Sequence, residues 1–194
     1  MNNKKSNFFV STLLIIAVLT FNSQVFADDP DTGAIAPDFE ITQMDGTKFK
    51  LSDYKGKQSV YLVFWNTWCH YCMKKIPKLK ATQTNLANDI KIIAVNTTNK
   101  DSVEESLEFQ ERFKINYPLA FDHGEKVTDL YNVWGTPTEF IIDINGIIQY
   151  RDDVPEKLED YLAVWNKKST LISQSLKGYY HFVMTVISRL NTIS

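Results

Sequence analysis

Ser59 to Trp65, SVYLVFW, is apolar on both of its alternating faces, so a strand made of it has no side that can meet water. It must lie inside a sheet covered above and below. The run passes through Asn66-Thr67-Trp68 directly into Cys69 and Cys72, the two cysteines of the chain. Beyond them Ile76, Leu79, Leu86 and Ala87 recur near one helical face. Pro77 interrupts that face and predicts a kink. A buried strand that turns into a helix at a Cys-x-x-Cys pair is therefore the local unit around which the rest of the chain must be arranged.

The remaining segments supply partners for that strand. Phe39 to Lys57 holds two short alternating runs around Asp45-Gly46, which predicts a hairpin. Ile90 to Thr98 reads as a second buried strand. Asp101 to Ile115 reads as an amphipathic helix, acidic at its start and basic towards its end, capped by Asp101 or Ser102. A short helix is expected around Glu125 to Tyr131. A second hairpin follows, turning at Asn145-Gly146, and a last helix, Glu156 to Asn166, is opened by Pro155. Strands alternating with helices give an α/β class: a mixed central sheet flanked by helices, with an N-terminal hairpin.

The N-terminus bears on which cysteine chemistry is available. Lys4 and Lys5 precede the apolar run Phe8 to Phe21, and Val25-Phe26-Ala27 ends in a small residue, the layout of a secretory signal peptide. The expected division is 1–27 signal peptide, 28–35 flexible lead-in, 36–168 folded domain and 169–194 C-terminal amphipathic helical tail. The part after residue 27 has 19 Lys and Arg against 23 Asp and Glu, a formal charge of −4, which argues against nucleic acid as a partner. In an exported chain two cysteines could form a structural disulfide. A Cys-x-x-Cys pair closes too small a loop to restrain the unfolded chain much, and redox pairs use this spacing. A zinc half-site would need two more ligands from His70, His123, His181 or carboxylates, with no second paired spacing to supply them, so no metal is expected.

Cys69 falls where the strand ends and the helix begins, so the unpaired N–H groups of the first turn favour its thiolate. It is the expected nucleophile, titrating below a free thiol. Cys72, one turn in and expected to be the more buried, is the expected resolving thiol. Trp68 walls the site beside Cys69, and His70 and Tyr71 fill the space between the cysteines in sequence.

FWNTWCHYC followed by Pro77, and YNVWGTPTEFIIDINGII some 60 residues later, resemble the thioredoxin-like proteins of the TlpA and ResA type. The likeness runs from about Ala36 to Trp165 and takes in the lead-in APDFEITQMDGTKFKLSDYKGK. It implies a thioredoxin-like fold and thiol–disulfide exchange outside the cytoplasm, with Thr136-Pro137 as a cis-proline step against the cysteine pair. It also implies no cofactor beyond a redox-active Cys69–Cys72 disulfide. Partners would be protein thiols and disulfides together with a membrane or periplasmic redox donor or acceptor. The biological setting would be cytochrome c maturation or disulfide quality control.

Two positions depart from that pattern. Val63 stands where relatives often carry a buried Asp or Asn, and Lys75 where they often carry Glu, so the expectation is a site without a neighbouring acid, made electropositive by His70, Lys74 and Lys75. The alternatives are a thiol peroxidase of peroxiredoxin type, for which VFWNTWC lacks the required Pro and Thr spacing, and a redox-inactive thioredoxin-fold binding module. The tail Ser169 to Ser194 places Ile172, Leu176, Tyr179, Val183, Val186 and Leu190 on one helical seam. That seam suits packing on the domain, self-association or contact with a membrane surface.

Overall fold

The computed structural model describes residues 30–152 and 154–168. Its strands are β1 (Glu40–Thr42), β2 (Lys48–Lys50), β3 (Ser59–Trp65), β4 (Ile90–Asn96), β5 (Leu119–Phe121), β6 (Thr138–Ile142) and β7 (Ile148–Arg151). Its helices are α1 (His70–Leu86), α2 (Val103–Phe113), α3 (Lys126–Leu130) and α4 (Glu159–Trp165), with a 3-10 turn at Leu51–Tyr54. The boundaries of β3 are those read from the sequence. Pro77 lies inside α1, which continues through it.

Five strands form one sheet in the order β5-β4-β3-β6-β7, so the apolar strand β3 takes the centre. It runs parallel to β4 and antiparallel to β6, with Val63 opposite Glu139 and Phe64 opposite Thr138. Alternation along β3 then divides the core in two. Tyr61, Val63 and Trp65 point to the face covered by α1, α2 and α4, where they meet Ile76, Leu79, Phe109, Leu162 and Trp165. Val60, Leu62 and Phe64 point to the other face, covered by the β1–β2 hairpin, the 3-10 turn and α3.

Local chemistry explains the element ends. Ser102 caps α2 in a reciprocal capping box with Glu105, which settles the choice between Asp101 and Ser102. Asp45, Gly46 and Thr47 close the first hairpin, where Gly46 takes a positive φ of 85° that a Cβ would oppose.

Two expectations are corrected. Helix α4 begins at Glu159 rather than just after Pro155, because the carbonyls of Val154 and Pro155 accept from Lys78 Nζ (3.4 and 2.7 Å) and so tie that segment to α1. The described part of the lead-in is not free. Gly33 N–H donates to the Ile148 carbonyl (2.8 Å), Ile148 N–H to Ala34 (2.9 Å) and Ala36 N–H to Gly146 (2.9 Å). Edge strand β7 leaves the Ile148 groups open, and the lead-in pairs with them and with the turn just before the strand. The signal segment 1–27 and the tail 169–194 lie outside the described residues.

Candidate functional site

The site forms at the end of β3. Cys69 is the N-cap of α1, and its sulfur accepts from the Cys72 N–H at 3.1 Å. Cys69 and Cys72 are joined as a disulfide. Cys69 is 4% and Cys72 6% exposed, so both are buried, and the expected difference in burial is absent. Neither cysteine side chain projects into solvent.

What does project is aromatic. Trp68 and Tyr71 are exposed beside the disulfide, and Trp134, three residues before Pro137, is 90% exposed. Trp68 is held in place by its Nε1–H donating to the Asn99 carbonyl at 2.9 Å. His70 is exposed, with its ring 6.1 Å from that of Tyr71. The Thr136–Pro137 peptide is cis, and Pro137 shares a small void with Cys72.

A polar network that the sequence did not reveal holds these loops together. Asn66, 1% exposed, accepts from Thr136 Oγ1 (3.1 Å) and Thr97 Oγ1 (2.9 Å) through Oδ1, and its Nδ2 donates to Asp101 Oδ2 (3.2 Å). Asp101 also accepts from the Thr67 N–H (2.8 Å), the Thr67 hydroxyl and Asn96 Nδ2 (2.7 Å). The loop before Cys69, the loop after β4 and the cis-proline loop are thus clamped by two side chains. Asp101 does not cap α2. Its signal was a turn-forming Asp beside a better cap, and nothing local could say that it reaches back to Thr67.

The expectation of a site without an acid is overturned. Glu139, in β6 opposite Val63, is 2% exposed and points to the same face as α1. It accepts from the Tyr61 hydroxyl, and its Oε2 lies 2.5 Å from Lys75 Nζ. The carboxylate comes from a strand 64 positions from Lys75, whereas the positions where an acid is expected, Val63 and Lys75, lie on β3 and α1. Burial, and then the Glu139 charge, push the Tyr61 phenol far above its usual range, so it stays a donor. The Lys75 charge is therefore paired, and Lys74 Nζ sits 4.9 Å over the Tyr71 ring. The local signal was present in TPTEFIID, where Glu139 interrupts a run of residues suited to a buried strand. Among the described residues no cluster of three or more His, Cys, Asp or Glu side chains could hold a metal.

A central strand feeding a Cys-x-x-Cys disulfide at a helix N-terminus, with a cis-proline loop beside it, defines a thioredoxin-like thiol–disulfide oxidoreductase. The chain belongs to the AhpC/TSA family, which matches residues 32–151. It is similar to the thiol-disulfide oxidoreductase ResA of Geobacillus kaustophilus, 37% identical over 136 residues, 66% of this chain and 76% of that one. Among solved structures it resembles a DsbE-type thiol:disulfide interchange protein of Chlorobium tepidum, with 30% identity, a TM-score of 0.60 and coverage of 70% of this chain and 97% of that one. The exposed lipoprotein thioredoxin of Streptococcus pneumoniae matches with 27% identity, a TM-score of 0.53 and coverage of 66% and 98%.

Proposed function

We propose that the chain is an exported oxidoreductase that exchanges disulfides with protein thiols through Cys69 as attacking and Cys72 as resolving sulfur. The observation that carries the assignment of roles is the position of Cys69 as the N-cap of α1, with the Cys72 N–H directed at its sulfur. On reduction those first-turn N–H groups face a Cys69 thiolate and stabilise it. The thiolate attacks a substrate disulfide, one substrate sulfur leaves and takes a proton from water, and a mixed disulfide remains. Cys72 then loses its proton and attacks Cys69 Sγ, the second substrate thiol leaves, and two electrons have passed from the pair to the substrate.

Exposed Trp68 and Tyr71 adjoin the cysteines in sequence and exposed Trp134 stands three residues before Pro137, an aromatic set that suits an extended peptide rather than a small polar thiol. Export is supported by the signal-peptide layout of residues 1–27. The biological setting we assign is cytochrome c maturation or disulfide quality control, with a membrane or periplasmic protein as redox partner. Among the described residues no helix is long and apolar enough to cross a membrane.

A Cys72→Ala protein tests the reading, since it cannot resolve its mixed disulfides. Expressed in an exporting host, it is expected to accumulate covalent adducts with protein thiols that dithiothreitol releases, and Cys69→Ala is expected to accumulate none. Adducts that form through Cys72 instead would reverse the roles. Rapid peroxide consumption without insulin reduction would favour the peroxidase alternative.

A further inference from the structure

Beside the disulfide lies an ion pair that the exchange reaction as derived does not use. Lys75 follows Cys72 by three residues on α1, so the two side chains share a helix face, and both line one void of about 10 Å³ with Pro137 and Val63. Lys75 is partly exposed, whereas Glu139 is almost wholly buried. A buried carboxylate is costly unless paired, and a purely structural site could be filled as well by apolar side chains. The rest of β6 is Thr138, Phe140, Ile141 and Ile142, so β6 itself has no other charge to balance. The other polar groups around the pair are Tyr61 on β3, which donates to Glu139, Tyr117 near Tyr61, and Lys78 on α1 with Glu156 at 3.8 Å.

Resting on the exchange reading above, we propose that Lys75 is the positioning cation for the resolving thiol, with Glu139, itself fixed by the Tyr61 hydroxyl, holding its ammonium beside Cys72 and moderating its charge. When a mixed disulfide forms on Cys69, Cys72 must give its proton to water before it can attack, and an ammonium nearby lowers the cost of that thiolate. Glu139 sets how much of the cation's field reaches the sulfur. The pair therefore tunes the reduction potential in two opposite senses. Lys75 favours the reduced dithiol through its thiolate forms, and Glu139 opposes it.

The test uses the full chain with three single variants and one double variant. Potential is read by equilibration with glutathione, and the resolving step by release of a thiol from a preformed Cys69 mixed disulfide across pH. Lys75→Met is expected to slow resolution near neutral pH about tenfold and to make the disulfide harder to reduce by about tenfold in the exchange constant, about 30 mV. Glu139→Gln keeps an acceptor for Tyr61 but removes the charge, and is expected to shift the potential the opposite way. Lys75→Arg is expected to stay close to the parent protein. Should Lys75→Met fail to fold with Glu139 left unpaired, Lys75→Met/Glu139→Gln, which buries no charge, is expected to show the same slowing of resolution. Shifts of the same sign in the Lys75 and Glu139 variants, or unaltered potentials and rates in both, overturn the proposal. If the parent protein itself fails to exchange with protein disulfides, the functional reading fails rather than this inference.

Discussion

The two faces of the central sheet are built from alternate residues of the same strands and differ sharply in chemistry. On the hairpin side, Phe39, Phe49, Phe64, Tyr131 and Phe140 pack ring against ring, with Phe64–Tyr131 at 5.9 Å and Tyr131–Phe140 at 5.1 Å between centroids. The polar atom of that cluster, the Tyr131 hydroxyl, is satisfied by the Pro37 carbonyl at 2.8 Å. On the helix side Tyr61 and Glu139 of the same strands meet the disulfide and Lys75 carried by α1. One side stabilises by excluding water and filling space. The other gives up some of that stabilisation to hold charge and sulfur together, which is where a redox pair can be tuned.

The largest separation of the two faces is expected from Phe140→Ala. Removing a fully buried ring from the hairpin-side cluster costs about 3–5 kcal/mol, read as a lower midpoint in denaturant, while the reduction potential of the folded fraction stays unchanged. A potential that moves with it would mean that the sheet transmits packing changes across its thickness. Asp101→Ala is expected to cost about 1.5–3 kcal/mol, because charge-assisted hydrogen bonds to Thr67 and Asn96 are lost. Here exchange should slow as well, since the same carboxylate clamps the loop before Cys69. Stability lost without any change in rate would make the clamp purely structural.

A smaller effect is expected at His70. Its ring is exposed and packs near Tyr71, so His70→Ala should make the disulfide harder to reduce by less than about 30 mV, or about 1.4 kcal/mol. A shift larger than that of Lys75→Met would give the exposed imidazole, rather than the Lys75–Glu139 pair, the main electrostatic role. The smallest stability effect belongs to Trp134→Ala, within about 0.5 kcal/mol because the side chain is almost fully exposed. Its expected signature is a several-fold higher KM for protein disulfides with an unchanged rate towards a small-molecule disulfide. Equal losses on both substrates would remove Trp134 from substrate docking.

Local pattern was enough for most of the elements. Two-sided apolarity placed β3 at the centre, Asp45-Gly46 and Asn145-Gly146 marked both hairpins, and the strand-to-helix junction put Cys69 at the start of α1. These depend on neighbours within a few residues, where turn chemistry and periodicity act directly. The start of α4 was misjudged because Lys78, 77 positions before Pro155, takes carbonyls there that local rules leave free for a helix.

The charge balance of the site followed a different logic. Val63 and Lys75 were correctly seen to lack an acid, but antiparallel pairing of β3 with β6 sets Glu139 opposite Val63 and delivers a carboxylate to Lys75. The Asn66–Asp101 clamp likewise joins loops 35 positions apart. Sequence by itself determined the fold class, the reactive sulfurs and the order of the elements, because each is written in short-range periodicity and spacing. Only the tertiary structure decided which charges face those sulfurs. Strand register brings distant residues within a few ångströms, and in a low-dielectric interior such distances decide whether a charge is paired or free.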